Sequence, residues 1–181
     1  MSQPFLIDQI IQAFGSYPKT TKGATNNTSA GYPLLNKDEN GPARKESWKY
    51  RGIIGMLGYL QGTTRPGIAM STHQRARSNN NPHLSHEIVV NRIVRYLLDT
   101  RDKVVIYKPD TSQGLECYVD ADFVVGWKYG DQNSQESVLS LTGFFIMYYG
   151  FSIHWGGKIQ TEISLSTTES EYIDLSTSMR E

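Results

Sequence analysis

One cysteine, Cys117, is the whole thiol content of this 181-residue sequence, so an intrachain disulfide framework is excluded and a reducing compartment fits. There is no Walker A loop, no HExxH helix and no Cys/His spacing of the zinc type, which removes nucleotide-binding P-loops, zincins and zinc fingers from consideration. His73, His83, His86 and His154 are scattered. The pair His83 and His86, in a loop at a helix start, reads as surface because no third ligand accompanies it. The opening MSQPFLIDQI has neither a basic n-region nor an apolar h-region, so no secretory leader is read there. A long hydrophobic run is missing too. The stretch 138–155 carries no Asp, Glu, Lys or Arg, yet two serines, a threonine, two glycines and a histidine interrupt it, whereas a membrane span needs about 20 predominantly apolar residues. It reads better as two aromatic, β-branched strands around a turn at Gly150. The expectation is an intracellular chain, cytoplasmic or nuclear, with no membrane partner.

Net charge is zero, but its distribution is lopsided. Residues 1–115 hold 15 Lys and Arg against 8 Asp and Glu; residues 116–181 hold 3 against 10. A basic half beside an acidic half suits a protein that holds a polyanion with one part and metal ions with the other. A solvated surface of uneven charge is the plainer alternative.

Hydrophobic content of 38% and aromatic content of 11% are enough to build cores. Leu6, Ile7, Ile10, Ile11 and Phe14 have helical spacing, and the Gly-, Pro-, Asn- and Thr-rich segment 16–46 reads as loop or linker. Ser47 is a candidate cap for a helix containing Tyr50, Ile53, Ile54, Leu57 and Leu60. GTTRPG interrupts it, and Pro66 suits the first turn of a second helix running to about Asn79. Ser85, Glu87, Ile88, Val89, Ile93, Val94, Tyr96 and Leu97 predict a third, ending near Thr100. The period then changes to two. A short β run is expected over 103–108, and Leu115, Cys117, Val119 and Ala121 alternate with Glu116, Tyr118, Asp120 and Asp122 as in a strand with two distinct faces. A hairpin over 141–155 follows, then a helix with Tyr172, Leu175, Ser176 and Met179 along one face. Glu169 forms a capping box with Ser166 and needs no catalytic explanation.

Carboxylates on a strand followed by a helix with a second acidic cluster fit a two-metal nuclease. That chemistry places two Mg²⁺ ions about 4 Å apart on rigid oxygen ligands. The segments YRGIIGMLGYLQGTTRPGIAM, NPHLSHEIVVNRIVRYLLDT, GLECYVDADF, LTGFFIMYYG and LSTTESEYIDLS, in this order, resemble the Pol polyprotein of copia-type LTR retrotransposons where reverse transcriptase leads into ribonuclease H. The resemblance covers essentially the whole chain. It implies an α+β arrangement: the end of reverse transcriptase and a linker (1–46), a helical connection segment (47–112) and a ribonuclease H-like domain (113–181) with a mixed sheet and a packed helix.

What the resemblance implies for the site is specific. Asp120 matches the first catalytic carboxylate, and Glu171 matches the helix glutamate, since SEYIDL resembles the family's AEYIAL. Both would ligate a two-ion Mg²⁺ site, with Asp122 a candidate contact through water and Lys158 a candidate for phosphate. The partners implied are an RNA–DNA hybrid or other nucleic acid and the remainder of the Pol polyprotein. The family's third carboxylate belongs to a downstream DNQS-like segment not found here, so the expectation is an incomplete catalytic set and an inactive fragment. The chain also departs from the family at Val124-Val125, where small residues are usual, and at Gly156-Gly157, where a polar residue and a serine precede the lysine. Two alternatives stay open: a non-enzymatic, nucleic-acid-binding or decayed remnant, and a polymerase palm fragment suggested by the nearness of YVDA to a YVDD box.

Overall fold

Periodicity decides the local structure here: helices form where apolar residues recur every three or four positions and strands where they alternate. In a computed structural model that describes residues 3–15, 38, 40–124 and 138–181, the chain divides into two compact units, Met1–Ile106 and Tyr107–Glu181. The first is helical and the second is built on a sheet, so the architecture is α+β. Most of the segment read as linker, and Val125, lie outside the described residues.

The helical unit contains α1 (Pro4–Ala13), α2 (Tyr50–Thr63), α3 (Ala69–Ala76) and α4 (Leu84–Asp99), with a 3₁₀ turn at Pro66–Ile68 leading into α3. Ile7 and Ile10 from α1, Ile53, Leu57 and Leu60 from α2, and Ile93 and Leu97 from α4 are all sealed in one core. Burying each such side chain is worth roughly 1.5–3 kcal/mol against leaving it in water. Ser47 does not cap α2. The helix starts after Lys49, with no side-chain cap, because the buried Trp48 already anchors the chain there. Its ring stacks between Phe14 at 4.8 Å and Tyr50 at 5.7 Å. The Arg44 guanidinium lies 4.3 Å over the same ring and donates from Nη2 to the Trp48 carbonyl at 2.8 Å.

Two further expectations change. His86 is not at the surface but fully buried; its Nδ1 accepts the His83 N–H at 2.8 Å and so closes the first turn of α4. The β run expected over 103–108 is absent, and those residues are irregular. Part of the reason is Arg65. Its Nη2 donates to the carbonyls of Thr100 at 2.8 Å, Arg101 at 3.1 Å and Lys103 at 2.9 Å, which caps α4 and occupies a carbonyl that a ladder would need.

Tyr50 ties α2 to the end of α3, donating its hydroxyl to the Arg75 carbonyl at 3.1 Å. Burial pushes the phenol up to about 12, against the opposing charges of Arg75 and Arg44. Because the folded value lies above the ordinary 10.0, the phenol's contribution is fully present below that pH and is lost as pH rises through about 12. Tyr50→Phe is therefore expected to cost about 1 kcal/mol at neutral pH and to flatten the alkaline limb of the stability curve. Urea melts of both forms across that limb test this; a pH-independent difference between them would refute it.

The second unit holds β1 (Leu115–Asp122), β2 (Leu141–Tyr148), β3 (Phe151–Ile159) and α5 (Thr167–Ser178). The sheet order is β1-β2-β3, and every described pairing is antiparallel, where a mixed sheet was expected. The link between β2 and β3 explains one of these pairings. Only two residues join them, Tyr149 at φ +49° and Gly150 at φ +78°, and a turn with both central residues at positive φ produces a hairpin, whereas a parallel partner needs a long crossover. The low-charge stretch 138–155 is thus β-structure, and no described helix is long and apolar enough to cross a membrane. Gly156 sits under the Phe144 ring, where a Cβ would come within 2.7 Å of ring carbons; the departure from the family pattern at that position is what this packing requires. Val124 holds φ +52°, a strained conformation for a β-branched residue and a physical reason for small residues at this point in the family.

Candidate functional site

β1 carries Asp120 and Asp122 two residues apart, so strand alternation places them on one face with Tyr118. Cross-strand register sets Asp120 opposite Gly143, which in turn pairs with Gly157. Asp120 is therefore the only member of that row with a side chain beyond hydrogen. The neighbouring row runs Ala121, Thr142, Lys158.

The helix is placed by its cap. Ser166 Oγ accepts the Glu169 N–H at 3.1 Å, the first half of the expected capping box, but the Glu169 carboxylate accepts the Leu165 N–H at 2.7 Å, one residue before the cap, instead of the Ser166 N–H. Glu169 and Glu171 are both exposed on the first turns of α5, and Glu169 is engaged at the helix start. Glu171, Thr168 and Tyr172 from α5 line a cavity of about 310 Å³ together with Val119, Asp120 and Ala121 from β1. Asp120 and Glu171 are thereby brought to one opening from separate, rigid elements.

The other two sequence candidates are not part of that lining. Asp122 ends β1 opposite Leu141. Lys158 borders a separate cavity of about 630 Å³ that also receives Glu169 and Arg180, and its Nζ pairs with Glu181 at 3.2 Å. That pair is half exposed and contributes little to stability. The palm alternative needs paired aspartates in a hairpin turn, whereas Asp120 lies within the paired region of β1.

Sequence reasoning missed Asp174. The apolar residues Tyr172, Leu175 and Met179 of α5 are exposed, and the stripe Ser170, Asp174, Ser178, at intervals of four, is buried instead. Asp174 Oδ1 accepts the Ser178 hydroxyl at 3.1 Å. Burial pushes its carboxyl above the usual carboxylate range; Ser178 and the backbone N–H groups of Gly143 and Asp120 favour the charged form, and the Asp120 charge opposes it. The signal that could have found it is small: Asp174 stands where the family pattern AEYIAL has alanine.

Asp120 and Glu171 are hard oxygen donors, and Mg²⁺ is commonly held by one or two carboxylates while keeping several waters. The donor pair fits such an ion. Among the described residues no three His, Cys, Asp or Glu side chains are grouped closely enough to hold a metal by themselves, so water or further donors would complete the shell.

Comparison with known proteins gives a consistent set of relatives. The chain is 31% identical over 180 residues to the retrovirus-related Pol polyprotein from transposon TNT 1-94 of Nicotiana tabacum, covering 96% of this chain and 12% of that protein. It is 34% identical over 125 residues to the corresponding polyprotein from transposon RE1 of Arabidopsis thaliana, covering 68% of this chain and 8% of that one. It is also 29% identical over 132 residues to the secreted RxLR effector protein 161 of Plasmopara viticola, covering 73% of this chain and 87% of that one. The chain thus spans about a tenth of the length of the two transposon polyproteins. No protein-family profile matches it, and no solved structure does.

Proposed function

This chain belongs to the retrovirus-related Pol polyproteins of transposons, and on that footing we propose that its second unit is part of a ribonuclease H domain. Within the polyprotein this domain hydrolyses the RNA strand of RNA–DNA hybrids, and the helical first unit is the connection from reverse transcriptase. The observation that carries the reading is that Asp120 and Glu171, on different elements, line a single cavity.

In this reading Asp120 and Glu171 are the residues that would hold a Mg²⁺ ion. When bound, the metal supplies Lewis acidity, lowering the pKa of its water and neutralising charge on the leaving oxygen. Asp120 does its part from a paired strand, so little backbone ordering remains to be done when substrate arrives. The two glycines beside it leave room for a phosphodiester to approach its row of the sheet. Lys158, when released from Glu181, offers a point charge to a neighbouring phosphate. The excess of Lys and Arg in residues 1–115 supplies sequence-independent affinity for the polyanion. Hybrid is distinguished from duplex DNA by 2′-hydroxyls and helical shape.

The test is cleavage of an end-labelled RNA–DNA hybrid by the Pol product that carries this sequence, with Mg²⁺ and with EDTA, beside single-stranded RNA and duplex DNA. Cleavage of the RNA strand that requires Mg²⁺ and spares duplex DNA is expected. Salt-sensitive hybrid binding without cleavage would overturn the enzymatic reading in favour of a nucleic-acid-binding remnant, the reading that the basic first half supports.

A further inference from the structure

Gln160, the residue that follows β3, is only 4% exposed, and the two ends of its amide fare differently. Nε2 donates to the Ser170 carbonyl at 2.9 Å and to the Thr142 hydroxyl at 3.2 Å, tying α5 to β2. A carbonyl can only accept, so the amide nitrogen must be the end that faces Ser170. Oε1 is left buried with no hydrogen-bond partner. A buried acceptor that goes unmet keeps its full desolvation penalty, so a donor belongs beside it. Gln160 and Thr142 both line the cavity of about 630 Å³, which is the size of an ordinary ligand site. Lys158 and Arg180 line it as well, and Lys158 Nζ already holds one anion there, the Glu181 carboxylate at 3.2 Å. Glu162 and Glu169 share the lining, so charge alone does not choose a ligand; the unmet acceptor does. Tyr172, 70% exposed, is common to this cavity and to the smaller one lined by Asp120 and Glu171.

The chemistry this lining asks for is an anion joined to a hydrogen-bond donor. A ribose-phosphate chain offers both in every nucleotide, a phosphate and a 2′-hydroxyl, whereas a DNA strand lacks the hydroxyl. We propose that the cavity of about 630 Å³ is a second subsite for the RNA strand, taking a ribonucleotide to one side of the nucleotide at Asp120 and Glu171. Gln160 Oε1 accepts its 2′-hydroxyl, and Lys158 exchanges Glu181 for its phosphate. Tyr172 is the wall past which the strand runs from one cavity to the other, with a ring free to stack on a base. Gln160 thereby determines specificity for the sugar and not for the base. The inference rests on the reading of the Asp120 and Glu171 cavity as the place of cleavage.

The full chain is titrated in EDTA, which prevents cutting, with a labelled RNA–DNA hybrid. It is titrated also with a set of hybrids in which one ribonucleotide at a time is replaced by its 2′-deoxy form. Wild type is expected to bind about fivefold more weakly when a sensitive position is deoxy. Gln160→Leu is expected to erase the penalty at one such position and to keep any other. Should loss of the Nε2 ties unfold that variant, Ser176→Trp serves in its place. Its ring fills the cavity from the exposed face of α5 and leaves the Gln160 amide intact. Lys158→Ala is expected to weaken the whole set alike, with a shallower salt dependence. A thermal melt accompanies each protein. Gln160→Leu and Ser176→Trp variants that weaken every hybrid equally would overturn the subsite and leave Gln160 as a tie between strand and helix. A wild type that does not bind the hybrid, or is indifferent to every deoxy replacement, overturns it too. The cleavage reading is judged apart, by the same hybrids with Mg²⁺. Cleavage without the position-specific loss sinks the subsite alone, whereas position-specific binding without cleavage upholds the ribose contact at Gln160 and sinks the nuclease.

Discussion

Asp120→Asn in the Pol product is expected to lower Mg²⁺-dependent hydrolysis of an RNA–DNA hybrid by at least about 100-fold, with no change in melting temperature. The substitution keeps shape and size and removes the anionic oxygen, which a hard cation prefers strongly over an amide. The size of the loss follows from what ligand geometry is worth, since even partners one layer behind a metal ligand cost 10–100-fold when altered. Stability is spared because Asp120 is exposed and forms none of the core. Two controls separate charge from location. Asp122→Asn, outside the cavity lining, is expected to change the rate by less than a tenth of that amount. Glu169→Gln is expected to weaken the α5 cap by about 1 kcal/mol at most and to leave the rate alone. Hydrolysis that survives Asp120→Asn would show that another residue leads the chemistry.

Arg65→Met is expected to destabilise the helical unit by about 3 kcal/mol, lowering its melting temperature by more than about 10 °C. Arg65 is nearly buried, and its Nη2 serves three carbonyls at the end of α4. The Thr100 carbonyl also accepts the Lys103 N–H at 3.0 Å, whereas those of Arg101 and Lys103 lie just past the helix, and the guanidinium meets the negative end of the helix dipole. Met preserves the aliphatic volume but removes the guanidinium from all three carbonyls, so the loss measures hydrogen bonds to a charged group and not a cavity. Arg65→Lys should recover only part of it, because one ammonium cannot span the positions that a planar fork reaches. Chemical denaturation followed by far-ultraviolet circular dichroism is the measurement. A loss below about 1 kcal/mol would mean that water satisfies the α4 end equally well.

Local pattern carried much of this protein. The helical sets around Ile7, Leu57 and Ile93 read correctly because they share one core, and each set needs only its own period to be recognised. The turn at Gly150 was legible for the same reason: positive φ favours glycine, and the flanking residues alternate. The capping role of Glu169 lies three residues from its partner Ser166. Membership in the transposon Pol polyproteins was legible from segments quoted in order, and the 31% identity over 180 residues agrees.

What failed to show was mostly long-range. Arg65 looked like part of an interruption, since its partners lie 35, 36 and 38 residues further on. By holding the Lys103 carbonyl, Arg65 takes one acceptor that a ladder over 103–108 would use, and periodicity alone could not foresee that. His86 read as surface because no third ligand accompanies it and His83 at the helix start; burial at the start of α4 made it a cap. Asp174 sat in plain view within SEYIDL, but the apolar residues of that helix drew attention to the opposite face.

The sequence by itself determined the order and type of most elements and the change from helical to alternating period, and it pointed to Asp120 and Glu171 as the carboxylates to test. Those are properties of neighbouring residues and of the chemistry of single side chains. Only the tertiary structure decided that Asp120 and Glu171 share one cavity, that Lys158 turns to Glu181 outside it, and that Asp174 lies buried on α5. Each of these depends on which face of α5 meets the sheet. That choice is made by packing and desolvation summed over the whole unit, which no local pattern encodes.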